Sequence, residues 1–176
     1  MNHGPRIALR PVAAEDEPLL RAAFADARRD EFLAAGLGER EVESLLEVQW
    51  RAQDAQYRRA YPHAEHAVVE VDGVPCGRLV LDCRADEVRV VDIALLAASR
   101  GRGIGARLLR SLQDGAALAE RRIGLRVARG NPAQRLYARL GFREVASDEV
   151  SVEMAWEAEA AGHTTARQHS NRGAAA

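Results

Sequence analysis

Between Asp92 and Ala106 the chain reads DIALLAASRGRGIGA, and the order of residue types there restricts the fold more than any other stretch. An apolar run ending at Leu96 gives way to Arg100-Gly101-Arg102-Gly103-Ile104-Gly105, after which Ile104, Leu108, Leu109, Leu112 and Ala116 recur at helical spacing. That order reads strand, glycine-rich loop, helix. Glycine lets a ligand approach the main chain closely. The first-turn N–H groups of a helix have no partner inside it and lie at the positive end of its dipole. Together these features predict a phosphate site.

The remaining segments supply a sheet to hold this unit. Ile7 and Leu9 alternate with Arg6 and Arg10 in a short strand from Arg6 to Pro11. After Glu15 and Asp16, the residues Leu19, Leu20, Ala23, Phe24 and Ala27 mark a first helix. A second is predicted from about Glu39 to Arg59, with Val42, Leu45, Leu46, Gln49, Trp50 and Gln53 on one side, following a break at Gly36 and Gly38. The period then changes to that of strands. Ala67 to Val71 and Val74 to Asp82 flank an Asp72-Gly73 turn, and Val88 to Leu96 reads as a third, central strand. The helix from Gly103 to about Ala119 is followed by a strand from Ile123 to Ala128. Asn131-Pro132, a good N-cap followed by a good first helical residue, opens a helix that carries Leu136, Tyr137 and Leu140 and stops at Gly141. Phe142 to Ala146 and Glu149 to Trp156 close the chain as a hairpin.

The expected fold is therefore α+β: a central, mixed but mostly antiparallel twisted sheet of about seven strands with four helices. The order is strand, two helices, three strands, helix, strand, helix, two strands. One domain is expected over residues 1–157. The polar and small residues of 158–176 show no apolar period and are expected to form a disordered tail.

No apolar run approaches the ~20 residues that a membrane helix needs, and MNHGPRIALRP lacks the apolar core of a signal peptide. A cytoplasmic protein with no membrane partner is expected. Cys76 and Cys83 do not suit a disulfide framework or a zinc site, so no metal is expected. All 25 basic residues are arginine. Eleven of them fall between Arg100 and Arg143 against only Asp114 and Glu120, a local excess of nine positive charges. Such a region attracts nucleic acid or a polyphosphate cofactor. The lack of base-stacking aromatics nearby argues against nucleic acid.

Two families place a glycine-rich turn between strand and helix. Gly101-x-Gly103-x-x-Ala106 satisfies the dinucleotide fingerprint, but that reading requires an acid at the end of the next strand to hold a ribose. Ala128-Arg129 stand there instead, and no Asp or Glu occurs between Arg121 and Arg143. A different pattern fits at each fixed position: Arg or Gln, two variable residues, Gly, one variable residue, then Gly or Ala. Arg100 to Gly105 in this respect resembles the acetyl-CoA motif of the GNAT superfamily, the GCN5-related N-acetyltransferases. A second signature of that family, an asparagine followed by a helix with Leu-Tyr and a Gly-Phe ending, appears as Asn131, Leu136-Tyr137 and Gly141-Phe142. The resemblance covers nearly all of Arg6 to Trp156.

The resemblance implies an acetyl-CoA-dependent N-acetyltransferase that passes an acetyl group directly to a primary amine of a small molecule or peptide. It implies that the central strand parts from a neighbour, so that the backbone of Ile93, Ala94 and Leu95 pairs with the pantetheine arm. Arg100, Gly101, Arg102, Gly103, Ile104, Gly105 and Ala106 would wrap the pyrophosphate, and Asn131 would add a cofactor contact to its capping role. Tyr137 is implied as the general acid toward the departing thiolate, a phenol of pKa about 10 beside a thiol of about 8.5.

The base is less defined. Strand alternation turns Arg89 and Val91 toward the substrate and Asp92 away, unless a bulge resets the phase. Asp92 is kept as the candidate base, with Glu153 and water behind it. The loop departs from the family pattern at Ala97-Ala98, where a proline-acid pair is frequent. Trp50, Gln53 and Tyr57 on the second helix are expected to line the acceptor site, and a homodimer is an open expectation. Two readings from other classes remain: a module of the same fold that binds acyl-CoA without turnover, and an arginine-rich nucleic-acid binder.

Overall fold

The computed structural model describes residues 5–158, so the expected tail lies outside the described residues beyond its first position. The strands are β1 (Ile7–Pro11), β2 (Glu65–Val71), β3 (Val74–Cys83), β4 (Glu87–Leu95), β5 (Arg122–Ala128), β6 (Arg143–Ser147) and β7 (Ser151–Trp156). The helices are α1 (Glu17–Asp26), α2 (Arg29–Ala34), α3 (Glu39–Ala60), α4 (Ile104–Leu118) and α5 (Ala133–Arg139). All seven strands join one sheet in the order β1-β2-β3-β4-β5-β7-β6. Every neighbouring pair is antiparallel except β4 and β5, which the α4 crossover makes parallel. The predicted α+β architecture is present, with α2 as an addition. That helix buries none of its six residues deeply and so shows no apolar period. Phe32 and Leu37, in and just after it, pack against the cluster between α1 and α3.

The two faces of the sheet are chemically different. On the α4 and α5 face, Leu79, Val90, Leu109, Ile123, Leu125 and Phe142 form one apolar core. On the other face α1 and α3 are joined by Leu20, Phe24, Val42, Leu46 and Trp50, with the Phe24 and Trp50 rings edge to face at 5.6 Å. Between those helices and the sheet the strands present Val68, Val80 and Ala94, but also Arg78, Asp82 and Glu87, all buried. Charge is concentrated under α1 and α3, and it must be paired there to be tolerated.

The start of α1 is fixed to the sheet edge by such pairing. Arg10 on β1 donates from Nη1 and Nη2 to both oxygens of Asp16, at 2.6 and 2.7 Å, and from Nε to Glu70 on β2 at 2.7 Å. Asp16 also accepts from the backbone N–H of Ala13 at 2.8 Å. These bonds, Arg10 first and Ala13 second, hold the Asp16 carboxyl down to about 2. Its folded pKa lies below its unfolded value near 4, so the stability it contributes is complete above about pH 4 and is lost as pH falls through about 2. Thermal unfolding measured across that window should show the midpoint falling more steeply for the native chain than for Asp16→Asn. The variant should start lower at neutral pH. Parallel curves would rule out this linkage.

Candidate active site

The register between β3 and β4 slips at one point. Val80 pairs with Asp92 and Leu81 with Val90, so Val91 is the extra residue of a β-bulge. The bulge corrects the face expected for Asp92. Asp92 lies opposite Val80 and Arg89 opposite Asp82, so these two, and not Arg89 and Val91, share the face under α1 and α3. Simple alternation gives the opposite answer because it assumes no inserted residue.

Beyond the bulge β4 leaves β5. Their parallel ladder runs from Glu87–Arg122 to Val90–Leu125 and stops, while β5 continues alone with β7. Leu96 donates to Cys76 O at 2.9 Å on the β3 side. Antiparallel alternation then directs the main chain of Ala94 and Asp92 to β3 and that of Ile93 and Leu95 into the gap. The three residues expected at the gap thus divide. Ile93 offers its backbone there and Leu95 its N–H, whereas Ala94 uses its backbone in the sheet and buries its side chain. Gly77 is required opposite Leu95, since a Cβ there would overlap Ala94 O.

At the end of β4 the loop enters α4. Gly101 and Gly103 have φ of 70° and 76°, a conformation that side-chain-bearing residues rarely adopt. Arg107 N bonds Gly103 O at 3.1 Å to close the first turn, leaving the N–H groups of Ile104, Gly105 and Ala106 without helical partners. Arg102 is exposed on the loop. Arg100 is turned elsewhere: its Nε donates to Leu95 O at 3.0 Å and its Nη1 to Asp26 O at 2.9 Å. Asp26 in turn accepts from Ala97 N at 2.7 Å, so the motif arginine fastens the loop to the C-terminal end of α1.

α5 brings the second signature alongside. Asn131 Oδ1 accepts from Ala133 N at 2.8 Å, which is a capping bond, and the residue is exposed. Tyr137 is 7% exposed, with Phe142 packed on its ring at 5.9 Å. Among the described residues its hydroxyl has no hydrogen-bond partner, and it is not sealed from solvent. Burial, and then the nearby charge of Asp92, push this phenol up to about 12.

Asp92 is the centre of a chain of polar groups. Arg78 Nε donates to Asp92 Oδ2 at 2.5 Å and Arg78 Nη2 to Gln53 Oε1 at 2.9 Å, and Gln53 Nε2 donates to Tyr57 Oη at 2.9 Å. Burial raises Tyr57 to about 12, with the Asp92 charge adding to it. Half-buried Arg28 lies 4.0 Å over the Phe24 ring; burial lowers its pKa, and the Asp92 charge opposes the shift. The expected helix residues therefore separate by role. Gln53 and Tyr57 join Asp92, while Trp50 is a core residue whose ring lies 4.8 Å beneath the Arg78 guanidinium. Glu153 is held by both terminal nitrogens of Arg89, one contact at 2.9 Å. Arg78 and Arg28 were absent from the sequence expectation. An arginine inside the apolar run of Cys76 to Leu81 is the signal that marks Arg78. For Arg28, flanked by charged residues, no comparable signal exists. Among the described residues no group of three or more His, Cys, Asp or Glu has metal-site geometry, and no helix is long and apolar enough to cross a membrane.

A parted central sheet, a glycine-led helix N-terminus and a tyrosine beside the gap stand together in the arrangement that the sequence resemblance implies. A family model described as an acetyltransferase (GNAT) domain matches residues 62–144, the stretch that holds the glycine loop, Asn131 and Tyr137. No curated protein matches it in sequence. Among solved structures it is similar to the PaiA N-acetyltransferase of Thermoplasma acidophilum in complex with coenzyme A, at 17% identity and TM-score 0.66. That match covers 87% of this chain and 99% of the other. An acetyltransferase from Thermus thermophilus gives 21% and 0.62, with 86% and 97% covered. The ribosomal-protein-S18-alanine N-acetyltransferase of Escherichia coli gives 20% and 0.55, with 90% and 98% covered.

The Arg78–Asp92 pair is nearly enclosed, with side chains 5% and 16% exposed. Arg78→Met leaves a buried carboxylate without its partner and should cost about 3–5 kcal/mol in urea unfolding. Adding Asp92→Leu should recover much of that loss. Additive losses in the double variant would show that the pair is not coupled.

Proposed function

We propose that the protein transfers an acetyl group from acetyl-CoA to a primary amine of a small molecule or peptide, directly between two ligands held at the β4–β5 gap. The observation that carries this reading is the convergence there of unpaired strand edge, free helix N–H groups and the Tyr137 hydroxyl. Gly105 faces Leu136, the residue next to Tyr137, so α4 and α5 bound one opening. Acetyl-CoA, when bound, supplies the activated acetyl group. The main chain of Ile93 and the N–H of Leu95 would pair with its pantetheine amides, and the N–H groups of Ile104, Gly105 and Ala106 would hold its pyrophosphate. Arg102 adds positive charge, and Asn131 Nδ2 is left free by the capping bond.

Tyr137 keeps its proton throughout the neutral range. With its pKa near 12, complete transfer to a thiolate of about 8.5 is uphill by about 5 kcal/mol. Tyr137 therefore acts first as a hydrogen-bond donor to sulfur as negative charge develops. On the acceptor side, Arg78 occupies Asp92 Oδ2, and Oδ1 is left to receive the amine proton directly or through water. Tyr57 accepts from Gln53 and retains its own proton to orient the acceptor. A second reading, acyl-CoA binding without turnover, is favoured by one observation: both candidate bases, Asp92 and Glu153, are already held by arginines.

Thiol release over a panel of amines separates these readings. Tyr137→Phe should lower kcat by about a hundredfold, the scale of a positioned acid, with KM for acetyl-CoA within about twofold. An unchanged kcat removes Tyr137 from the mechanism. The loop is best tested at Gly105, because Gly103 has a positive φ that valine would strain, whereas a Cβ on Gly105 meets only Leu136 Cδ2, at 3.6 Å. Gly105→Ala should fold at least as stably as the native chain, and Gly105→Leu, which reaches further into the opening, should bind CoA at least about tenfold more weakly, by loss of one or more charge-assisted bonds. Undiminished affinity would mean that the pyrophosphate lies elsewhere.

A further inference from the structure

Along the Trp50, Asp54 and Arg58 side of α3, a cleft of about 530 Å³ opens between the segment joining β1 to α1, α3 and the β2–β3 hairpin. Its lining includes Ala14, Glu17, Asp54, Arg58, His66 and Arg78. The size falls in the range of small-molecule sites, roughly 300–1,000 Å³.

Arg78 is the feature that needs explanation. It is 4% exposed, yet only two of its three nitrogens have partners: Nε on Asp92 and Nη2 on Gln53. Because no unpartnered side-chain nitrogen among the described residues is sealed from solvent, Nη1 meets an opening, and the cleft is the opening that Arg78 lines. A nearly buried guanidinium with donors turned into a cavity is a receptor for an anion, and its planar fork matches a carboxylate.

The rest of the lining narrows the ligand. Arg58 is paired to Asp54 by a 2.8 Å bond, and Glu17 is exposed at the entrance. His66 has its pKa lowered by burial and then by Arg58 and Arg78, so it is neutral at neutral pH. Free guanidinium donors at the floor, with acids on the walls that are themselves paired to Arg21 and Arg58, suit a carboxylate pointing inward and an ammonium group pointing outward. It does not suit a phosphate dianion, which the acids would repel. Leu20, Val80 and the edge of Trp50 leave apolar surface for a short side chain.

We propose that this cleft binds a free amino acid, with its carboxylate on Arg78 and its ammonium group toward Asp54 and Glu17. The site stands apart from the acetyl-transfer reading and touches it only through the shared guanidinium, whose other edge holds Asp92. The amino acid is thus an effector that acts through the Arg78–Asp92 pair, because its ammonium group faces away from the β4–β5 gap.

Calorimetry on the full chain without CoA, using each of the twenty amino acids beside its carboxamide, tests the proposal. At least one amino acid should bind, with its carboxamide at least about tenfold weaker, the scale of one hydrogen bond to a charged group. Ala14→Trp fills the cleft from an exposed position. It should abolish this binding while leaving thermal stability and CoA affinity unchanged. Equal binding of acid and carboxamide, no binding by any of the twenty, or full binding to a folded Ala14→Trp variant each overturns the site. Adding acetyl-CoA to the bound complex gives a further check: recovery of the unmodified amino acid supports the proposed orientation, and its N-acetylation overturns it.

Discussion

β4 and β5 share a ladder of four residue pairs and then separate, although a sheet interior is where unpaired backbone groups are most costly. Both strands remain secured on their outer sides, β4 by β3 and β5 by six pairs with β7. The gap is therefore rigid. The bulge at Val91 marks the point of departure, since an inserted residue bends a strand and increases its twist. The same bulge turns Asp92 under the helices. A single extra residue thus exposes the strand edge and supplies the acid beside it.

An acid turned inward at that place needs a partner of opposite charge, and Arg78 provides it across the β3–β4 pair. Around it, Glu87 pairs with Arg122 and Glu153 with Arg89, so the helix-side face of β4 is a row of balanced charges opposite an apolar core on the other face. Balance has a chemical consequence. A group arriving there finds no free carboxylate, only the unshared oxygen of a pair, and its position is set by groups that are themselves fixed by several bonds. Trp50 supports Arg78 from below by cation–π contact, which makes a core aromatic part of the site without touching a ligand.

Much of this was legible in the sequence. Periods of two and 3.6 located six strands and the four longer helices by the face each buries, while β6, exposed at every position, was placed by the turn at Ser147-Asp148. The glycine loop, Asn131 and Tyr137 stood at recognisable spacings. The bulge could not be read: from Val88 to Leu96 only Arg89 and Asp92 are polar, so the alternation has too few markers to reveal an inserted residue. The pairing of Arg78 with Asp92, fourteen positions away, depends on that register and was hidden with it. Arg100 was assigned by motif to the ligand side, but its side chain is spent on carbonyls of Leu95 and Asp26. A motif records which residue type is needed, and in this case the need is met in holding the loop.

The arginine excess between Arg100 and Arg143 also changes meaning in three dimensions. Arg122 is answered by Glu87 and Arg126 by Asp148, acids that lie before and after the stretch in sequence but beside it in the sheet. Charge at the head of α4 is not answered in this way. Helices α1, α2 and α3 each carry acids in the first turn, where the helix dipole favours them. α4 has none, and Arg102 and Arg107 flank its N-terminus instead. Positive side chains added to the positive end of a dipole raise the energy of the helix alone and lower it once a polyanion is bound. Folding by itself gives no reason for that arrangement, whereas a pyrophosphate at the glycine loop does.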